Sequence, residues 1–277
     1  MPDIFRIPRP ITAGSSPLII SANLLHLDQA QMLPIVQGLQ PKFDSSTGIK
    51  MYATLGGYSV LDAILKTDPK DFMKLLWRPC QNFASWIGSI KYIDSLDNLL
   101  RVIDATKFGD IAVEESGDSP ALVTLQEILS LFRNNTIKSI RIVSSIGTEM
   151  IEISPDSHLM DALRMMFQMR IRRLFLTGER KRAVSRFVSS RHIIRFLFSP
   201  ERLEIVKRNP ELWTDAKLSE IEISNAKNIS DEHVINQAAR EIGDRVDDCL
   251  VCERSKKVVT RWDIVMKPWK AKNYSFE

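Results

Sequence analysis

Lys257-Val258-Val259-Thr260-Arg261-Trp262-Asp263 reads as an apolar, strand-like approach, a hydroxyl residue, and a polar residue three positions later, leading into an apolar run. The same arrangement occurs three more times. Working back along the chain, it is found in Arg186-Phe187-Val188-Ser189-Ser190-Arg191-His192, in Ala121-Leu122-Val123-Thr124-Leu125-Gln126-Glu127, and in Gly56-Gly57-Tyr58-Ser59-Val60-Leu61-Asp62. The hydroxyl residues fall at 59, 124, 189 and 260, spaced by 65, 65 and 71 residues. A fixed period of this size is the mark of a repeated supersecondary unit. The wider last interval holds an added polar stretch, Ser199 to Lys217, with Pro200 and Pro210.

An earlier helix belongs to each copy. Leu159, Ala162, Leu163, Met166 and Phe167 stand at i, i+3, i+4, i+7 and i+8, which puts them on one helical face. Ser154-Pro155-Asp156 supplies turn and helix-entry residues ahead of it. Leu96, Leu99, Leu100 and Ile103 repeat the stripe in the second copy, and Ile235, Ala238, Ala239 and Ile242 repeat it in the fourth. In the first copy Ala30 and Leu33 fit, with Pro34 expected to interrupt the helix. Strand pairs follow: Arg173 to Leu176 with Ala183 to Val188, and Asp248 to Cys252 with Lys257 to Thr260. Leu125, Ile128, Leu129 and Phe132 pattern the closing helix of the second copy. Each unit thus reads strand, helix, strand, strand, helix. A unit of about 60 residues buries too little to stand comfortably alone, so two packed back to back are expected to share a core.

These residues carry a family resemblance. Met169-Arg170-Ile171-Arg172-Arg173-Leu174-Phe175-Leu176, with the preceding Ile153 to Leu163, is similar to the helix-to-strand passage of cystathionine-beta-synthase (CBS) domains. Val259-Thr260-Arg261-Trp262-Asp263-Ile264-Val265 resembles the closing strand-to-helix motif of that family. The plan as a whole resembles stand-alone archaeal proteins with four CBS repeats, and more remotely the gamma-subunit family of AMP-activated kinase. The resemblance implies an α/β (α+β) fold of four CBS repeats paired into two Bateman modules, with sheets packed at the pair interface and helices outside. The repeats are placed at 10–77 (degenerate), 78–137, 138–200 and 201–270. It also implies a non-catalytic sensor whose inter-repeat clefts bind AMP, ADP, ATP or S-adenosylmethionine. In the family's motif the Ser or Thr contacts phosphate or ribose, and the acid three residues later holds the ribose hydroxyls. Carried over, these are Ser59 and Asp62, Thr124 and Glu127, Ser189 and His192, and Thr260 and Asp263.

A carboxylate can accept both hydroxyls of a ribose cis-diol, and a helix N-terminus suits phosphate. Ser/Thr-x-x-acid is equally the signature of a capping box, which needs no ligand. Thr124 with Glu127 is the preferred capping-box pairing, and the structural reading is favoured there. Asp62 and Asp263 have shorter side chains and suit ribose better, while His192 offers a neutral imidazole with one acceptor. The first and fourth copies are therefore expected to hold the better sites, one in each module. Arg172, Arg173 and Arg191 lie where ligand phosphates would need positive charge; surface or packing arginines are the alternative.

Composition bounds the rest. Of 277 residues, 44% are hydrophobic and 26% charged, an ordinary globular balance. The net charge of +4 is uneven: 25 Lys/Arg against 20 Asp/Glu after residue 138, and 13 against 14 before it. The basic stretch Arg170 to Arg195 raises nucleic-acid binding as a rival function. A ligand-free scaffold is another rival. The apolar run Ser16 to Leu25 falls short of the ~20 residues that span a bilayer, so no membrane partner is expected. The N-terminus, with Asp3, Arg6 and Arg9, has no apolar signal core. Three cysteines, Cys80, Cys249 and Cys252, fit a reducing cytoplasm. Cys249 and Cys252 fall on a strand where i and i+3 face opposite ways, which marks core residues rather than a metal or redox pair. His26, His158 and His233 lack metal spacing, and no Gly-rich phosphate loop or nucleophile elbow is present, so neither a metal nor a cofactor nor catalysis is expected. A protein partner or a second copy of the chain remains as the receiver of a ligand signal.

Overall fold

Four times the chain lays down a strand, a helix, two strands and a second helix. The computed structural model describes residues 12–13, 15–27, 32–36, 51–84, 89–90, 95–106, 110–113, 121–177, 185–245 and 248–276. Unit one comprises β1 (Thr12–Ala13), α1 (Leu18–Leu27), β2 (Met32–Val36), β3 (Met51–Gly56) and α2 (Gly57–Lys66), followed by the connecting helix α3 (Phe72–Trp77). Unit two comprises β4 (Ser89–Ile90), α4 (Leu96–Thr106), β5 (Asp110–Val113), β6 (Ala121–Thr124) and α5 (Leu125–Arg133). The connection β7 (Ile137–Lys138) and α6 (Val143–Ile146) leads to unit three, with β8 (Glu152–Ile153), α7 (Leu159–Met169), β9 (Arg173–Leu176), β10 (Arg186–Ser189) and α8 (Ser190–Leu197). Helix α9 (Pro200–Arg208) and β11 (Ser224–Asn225) precede unit four, which has β12 (Lys227–Ile229), α10 (Ile235–Glu241), β13 (Leu250–Cys252), β14 (Val258–Val259) and α11 (Arg261–Lys270); β15 (Ser275–Phe276) ends the described chain.

Register makes the repetition quantitative. In every unit the first strand runs parallel to the second and their partners are 23 residues apart: Thr12 with Ile35, Ser89 with Ala112, Glu152 with Phe175, and Lys227 with Leu250. The third strand returns antiparallel beside the second in each case. A parallel pair needs a crossover of a dozen residues or more, and the intervening helix supplies it.

The helical stripes fall where the spacing places them. Leu96, Leu99, Leu100 and Ile103 of α4, Leu159, Ala162, Leu163 and Met166 of α7, and Ile235, Ala238 and Ala239 of α10 with Ile242 just beyond it are all buried. Phe167, last of the α7 stripe, stays exposed. On strand β13 and its approach, Cys249 and Val251 face one core and Leu250 and Cys252 another. Burial raises the Cys252 thiol pKa, as expected of a core residue.

The resemblance implies helices on the outside of each module's paired sheets, and those outer helices are where the two modules meet. Helices from different modules pack on each other. One core joins units one and three through Leu18, Leu61, Ile64, Leu163, Met166, Ile194 and Leu197. A second joins units two and four through Leu99, Ile103, Ile128, Phe132, Ile235, Ile264 and Val265. A third, smaller cluster of Met150, Phe175, Phe187, Ala226, Cys249, Val251 and Val258 lies between the sheets of units three and four, as a Bateman pair requires. A helix buries only one stripe against its own small sheet, so the remaining apolar surface finds the other module.

The first unit departs from expectation in two places. The run Ser16 to Leu25, not a segment around Leu33, supplies its first helix; Leu33 and Pro34 lie in β2, and Ala30 is outside the described residues. Among the described residues Pro34 has a strand partner, Thr54, on one side alone, an edge-like place in which proline is tolerated. The second departure concerns the motif. Helix α2 begins at Gly57, and Gly56 is its N-cap. Gly56, Thr124, Ser189 and Thr260 have closely matching extended backbones (φ −105, −118, −107 and −115°). The residue equivalent to the other caps is thus Gly56, and Ser59 sits inside the helix at the place Glu127, His192 and Asp263 hold elsewhere.

The added stretch 199–217 is not merely a polar loop. Ser199 caps α9 with its side chain, and Val206 and Trp213 are fully buried. Trp213 stacks on Phe72 of α3 with ring centroids 4.4 Å apart, which packs the unit three–four connection onto the unit one–two connection.

Candidate functional site

In three units the motif is a closed capping box. The Thr124 N–H donates to Glu127 Oε2 at 2.7 Å, the Thr124 hydroxyl donates to the same oxygen, and Gln126 N–H reaches Thr124 Oγ1 at 3.1 Å. In unit four Asp263 Oδ2 accepts from Thr260 N–H at 2.9 Å and from its hydroxyl at 2.7 Å. Asp263 Oδ1 also meets Lys267 Nζ at 2.9 Å. In unit three His192 stands in for the acid: its Nδ1 accepts from Ser189 N–H at 3.1 Å, and Ser189 Oγ accepts from His192 N–H at 3.3 Å. With Nδ1 an acceptor, the neutral ring carries its proton on Nε2, which faces Ser224 Oγ at 3.0 Å. The six side chains satisfy helix N-termini that are otherwise orphaned. Glu127 and Asp263 are both buried, and each closes a capping box of the same kind.

Asp62 is not in an equivalent place. It lies six residues past the cap, and Lys66 Nζ holds it at 2.6 Å on a partly exposed face of α2. The glycine cap carries no side chain, and the apparent motif of the first copy lies one helical turn past the equivalent helix start.

Basic residues from three units converge on the turn after α10. Arg133 of α5 donates from Nε to Ala239 O at 2.7 Å and from Nη2 to Ile242 O at 2.8 Å, capping the C-terminal carbonyls of α10, and pairs with Asp244 at 2.7 Å. Arg261, beside the Thr260 cap, is 4% exposed and donates to Gly243 O at 2.9 Å and Arg245 O at 2.7 Å. Arg173 reaches across the sheet interface to Asp248 O at 3.2 Å. Burial, with Arg173 and Arg133 nearby, pulls the Arg261 guanidinium down to about 10 against the pull of Asp248. A Cβ at Gly243 would lie 2.0 Å from Asp248 Oδ2, so a larger residue there requires the Asp248 side chain to move. Arg172 and Arg191 are half-buried on either side of the Ser189 cap, where the Arg172 carbonyl accepts from Ser190 N–H at 2.9 Å. Arg195 pairs with Glu222, and Arg180, Lys181 and Arg182 lie outside the described residues. Neither Arg133 nor Arg261 stood out in the sequence; only Arg261, adjacent to Thr260, had a local signal.

The Arg133 partner gives a pH prediction. Its hydrogen bond is the main reason the Asp244 carboxyl titrates below its ordinary 3.8. A depressed carboxyl contributes stability that is complete above the unfolded pKa and lost as pH falls through the folded one. Asp244→Asn is expected to lower the urea midpoint by a constant amount above about pH 5, and the gap to the native protein should close below about pH 3. A gap that widens in acid would contradict this.

Among the described residues no helix is long and apolar enough to cross a membrane, and no three His, Cys, Asp or Glu side chains are grouped to hold a metal ion.

The four registered units, the facing sheets of units three and four and the capped closing helices define the class: the fold is that of a four-repeat CBS protein, two Bateman modules in one chain. The chain is similar to protein MJ1225 from Methanocaldococcus jannaschii, described as a candidate archaeal homologue of g-AMPK, with a TM-score of 0.77 at 14% identity over 95% of this chain and 98% of that one. It is also similar to an uncharacterized conserved protein from Pyrococcus horikoshii, with a TM-score of 0.51 at 12% identity over 86% and 91% of the two chains. At these identities the likeness is one of fold. No family model and no curated protein sequence matches the chain.

Proposed function

We propose that this protein is a regulatory sensor without a reaction of its own, binding an adenosine-containing ligand (AMP, ADP, ATP or S-adenosylmethionine) at the seam between units three and four. One observation supports the reading most: arginines flanking two of the motifs converge there. Arg173, opposite Ser189 on the paired strands, and Arg261, next to Thr260, both face the turn that carries Asp248. Helix N-termini behind Ser189 and Thr260 suit phosphate, and half-buried Arg173 adds a planar guanidinium suited to phosphate oxygens. Asp263 is the ribose acceptor in this reading, and the seam of units one and two is the weaker one, since Gly56 has replaced the hydroxyl. A ligand with different affinity for two arrangements of the modules would shift their balance and so inform a protein partner.

Titration calorimetry of the full chain with AMP, ATP and S-adenosylmethionine tests this. Saturable heat from at least one is expected. Silence from all three at millimolar concentration would remove the proposal.

A further inference from the structure

The Asp263 carboxylate is already crowded. An ionised carboxylate has about four lone-pair positions. Oδ2 receives two donors from Thr260, and Oδ1 receives Lys267 Nζ at 2.9 Å. About one position is left, whereas a ribose cis-diol brings two donors. The Thr260 contacts close the cap of α11, so withdrawing them would leave a part-buried N–H without its partner. Lys267 is the partner that can leave, because its side chain is one-third exposed and its ammonium can return to water. The same ammonium donates to the carbonyl of Ile146, the last residue of α6 in the connection between the modules. Other bonds also hold that connection to unit four, among them the paired backbone bonds of Thr148 and Val258 at 2.8 and 2.7 Å, Val143 N–H on His233 O at 2.8 Å, and Lys257 Nζ on Ser144 O at 3.2 Å.

We infer that Lys267 is a specificity-determining residue: it occupies the Asp263 acceptor that the second ribose hydroxyl needs, and so suppresses discrimination between ribose and 2′-deoxyribose. This rests on the reading of Asp263 as the ribose acceptor. A 2′-deoxynucleotide offers one hydroxyl and fits the open position with Lys267 in place. A ribonucleotide must displace the lysine to use both.

The test is calorimetry of AMP and 2′-deoxy-AMP with the native chain and Lys267→Met. The substitution is expected to tighten AMP binding about threefold to tenfold, the range of a part-exposed ion pair on a buried acid, and to leave 2′-deoxy-AMP within about twofold. A lysine with a purely structural role would shift both nucleotides alike, and that result, or weaker AMP binding in the variant, overturns the inference. Should Lys267→Met not yield folded protein, Lys267→Gln keeps a donor for Ile146 without the charge and is expected to widen the same ratio. If the native chain binds AMP and Asp263→Asn binds it equally well, the assignment of the ribose acceptor falls and this inference with it; if no protein binds either nucleotide, this inference falls, while the adenosine class is decided separately by ATP and S-adenosylmethionine.

Discussion

Trp213→Ala is expected to lower the unfolding free energy by about 3 to 5 kcal/mol, the range for emptying a large aromatic site in a core. Trp213 has no exposed surface. Its ring lies nearly parallel to Phe72 at 4.4 Å, and Phe72 meets Phe198 edge-on at 6.2 Å. These three rings come from the unit one–two connection, the end of α8 and the unit three–four connection, so the cavity would open where both modules are tied together. Trp213 Nε1 is buried with no hydrogen-bond partner among the described residues. Trp213→Phe therefore removes area but also removes an unsatisfied donor, and should cost about 1 kcal/mol or less. Urea unfolding of both variants decides it. Equal losses for alanine and phenylalanine would show that stacked area is not what Trp213 contributes.

Asn236→Ala is the second large effect. Asn236 is buried on α10, and its Oδ1 accepts from Ser139 N–H at 3.0 Å while its Nδ2 donates to Phe132 O at 2.8 Å and Ile137 O at 2.6 Å. One side chain of unit four thus satisfies three backbone groups where unit two ends. Each buried group left without a partner costs about 1 to 3 kcal/mol, and partial rehydration brings the expected total to about 3 kcal/mol. Strand β15, which pairs with β7 through Phe276–Ile137 and Ser275–Lys138, closes the same junction. Hydrogen exchange at Ser139 should accelerate along with the loss of global stability. A loss below about 1 kcal/mol would mean that water replaces the amide without penalty.

How much of this was legible in the sequence follows from distance along the chain. The stripes of α4, α7 and α10, the strand pair β9–β10 and the opposed faces of Cys249 and Cys252 are local patterns, each contained in a short stretch of chain. The first unit was misread for a local reason too: Ser59-x-x-Asp62 imitates the motif one turn late, while the true cap, Gly56, has no side chain to announce itself. The site was less accessible. Thr124, Ser189 and Thr260 were correctly placed at helix starts, yet whether the following polar residue caps its helix or faces a ligand depends on hydrogen bonds that spacing leaves open. The meeting of Arg133, Arg173 and Arg261 on one turn joins residues from three units, and the packing of one module's helices on the other's is equally non-local. No single-sequence period encodes either.

Diffraction from crystals grown with whichever ligand gives heat is the decisive measurement. The adenosine should lie at the seam of units three and four, its ribose within hydrogen-bond reach of Asp263 and its charged end turned toward Arg173. A ligand seated away from the helix starts at Ser189 and Thr260, or a seam that stays closed by its own side chains at saturation, would contradict the proposal.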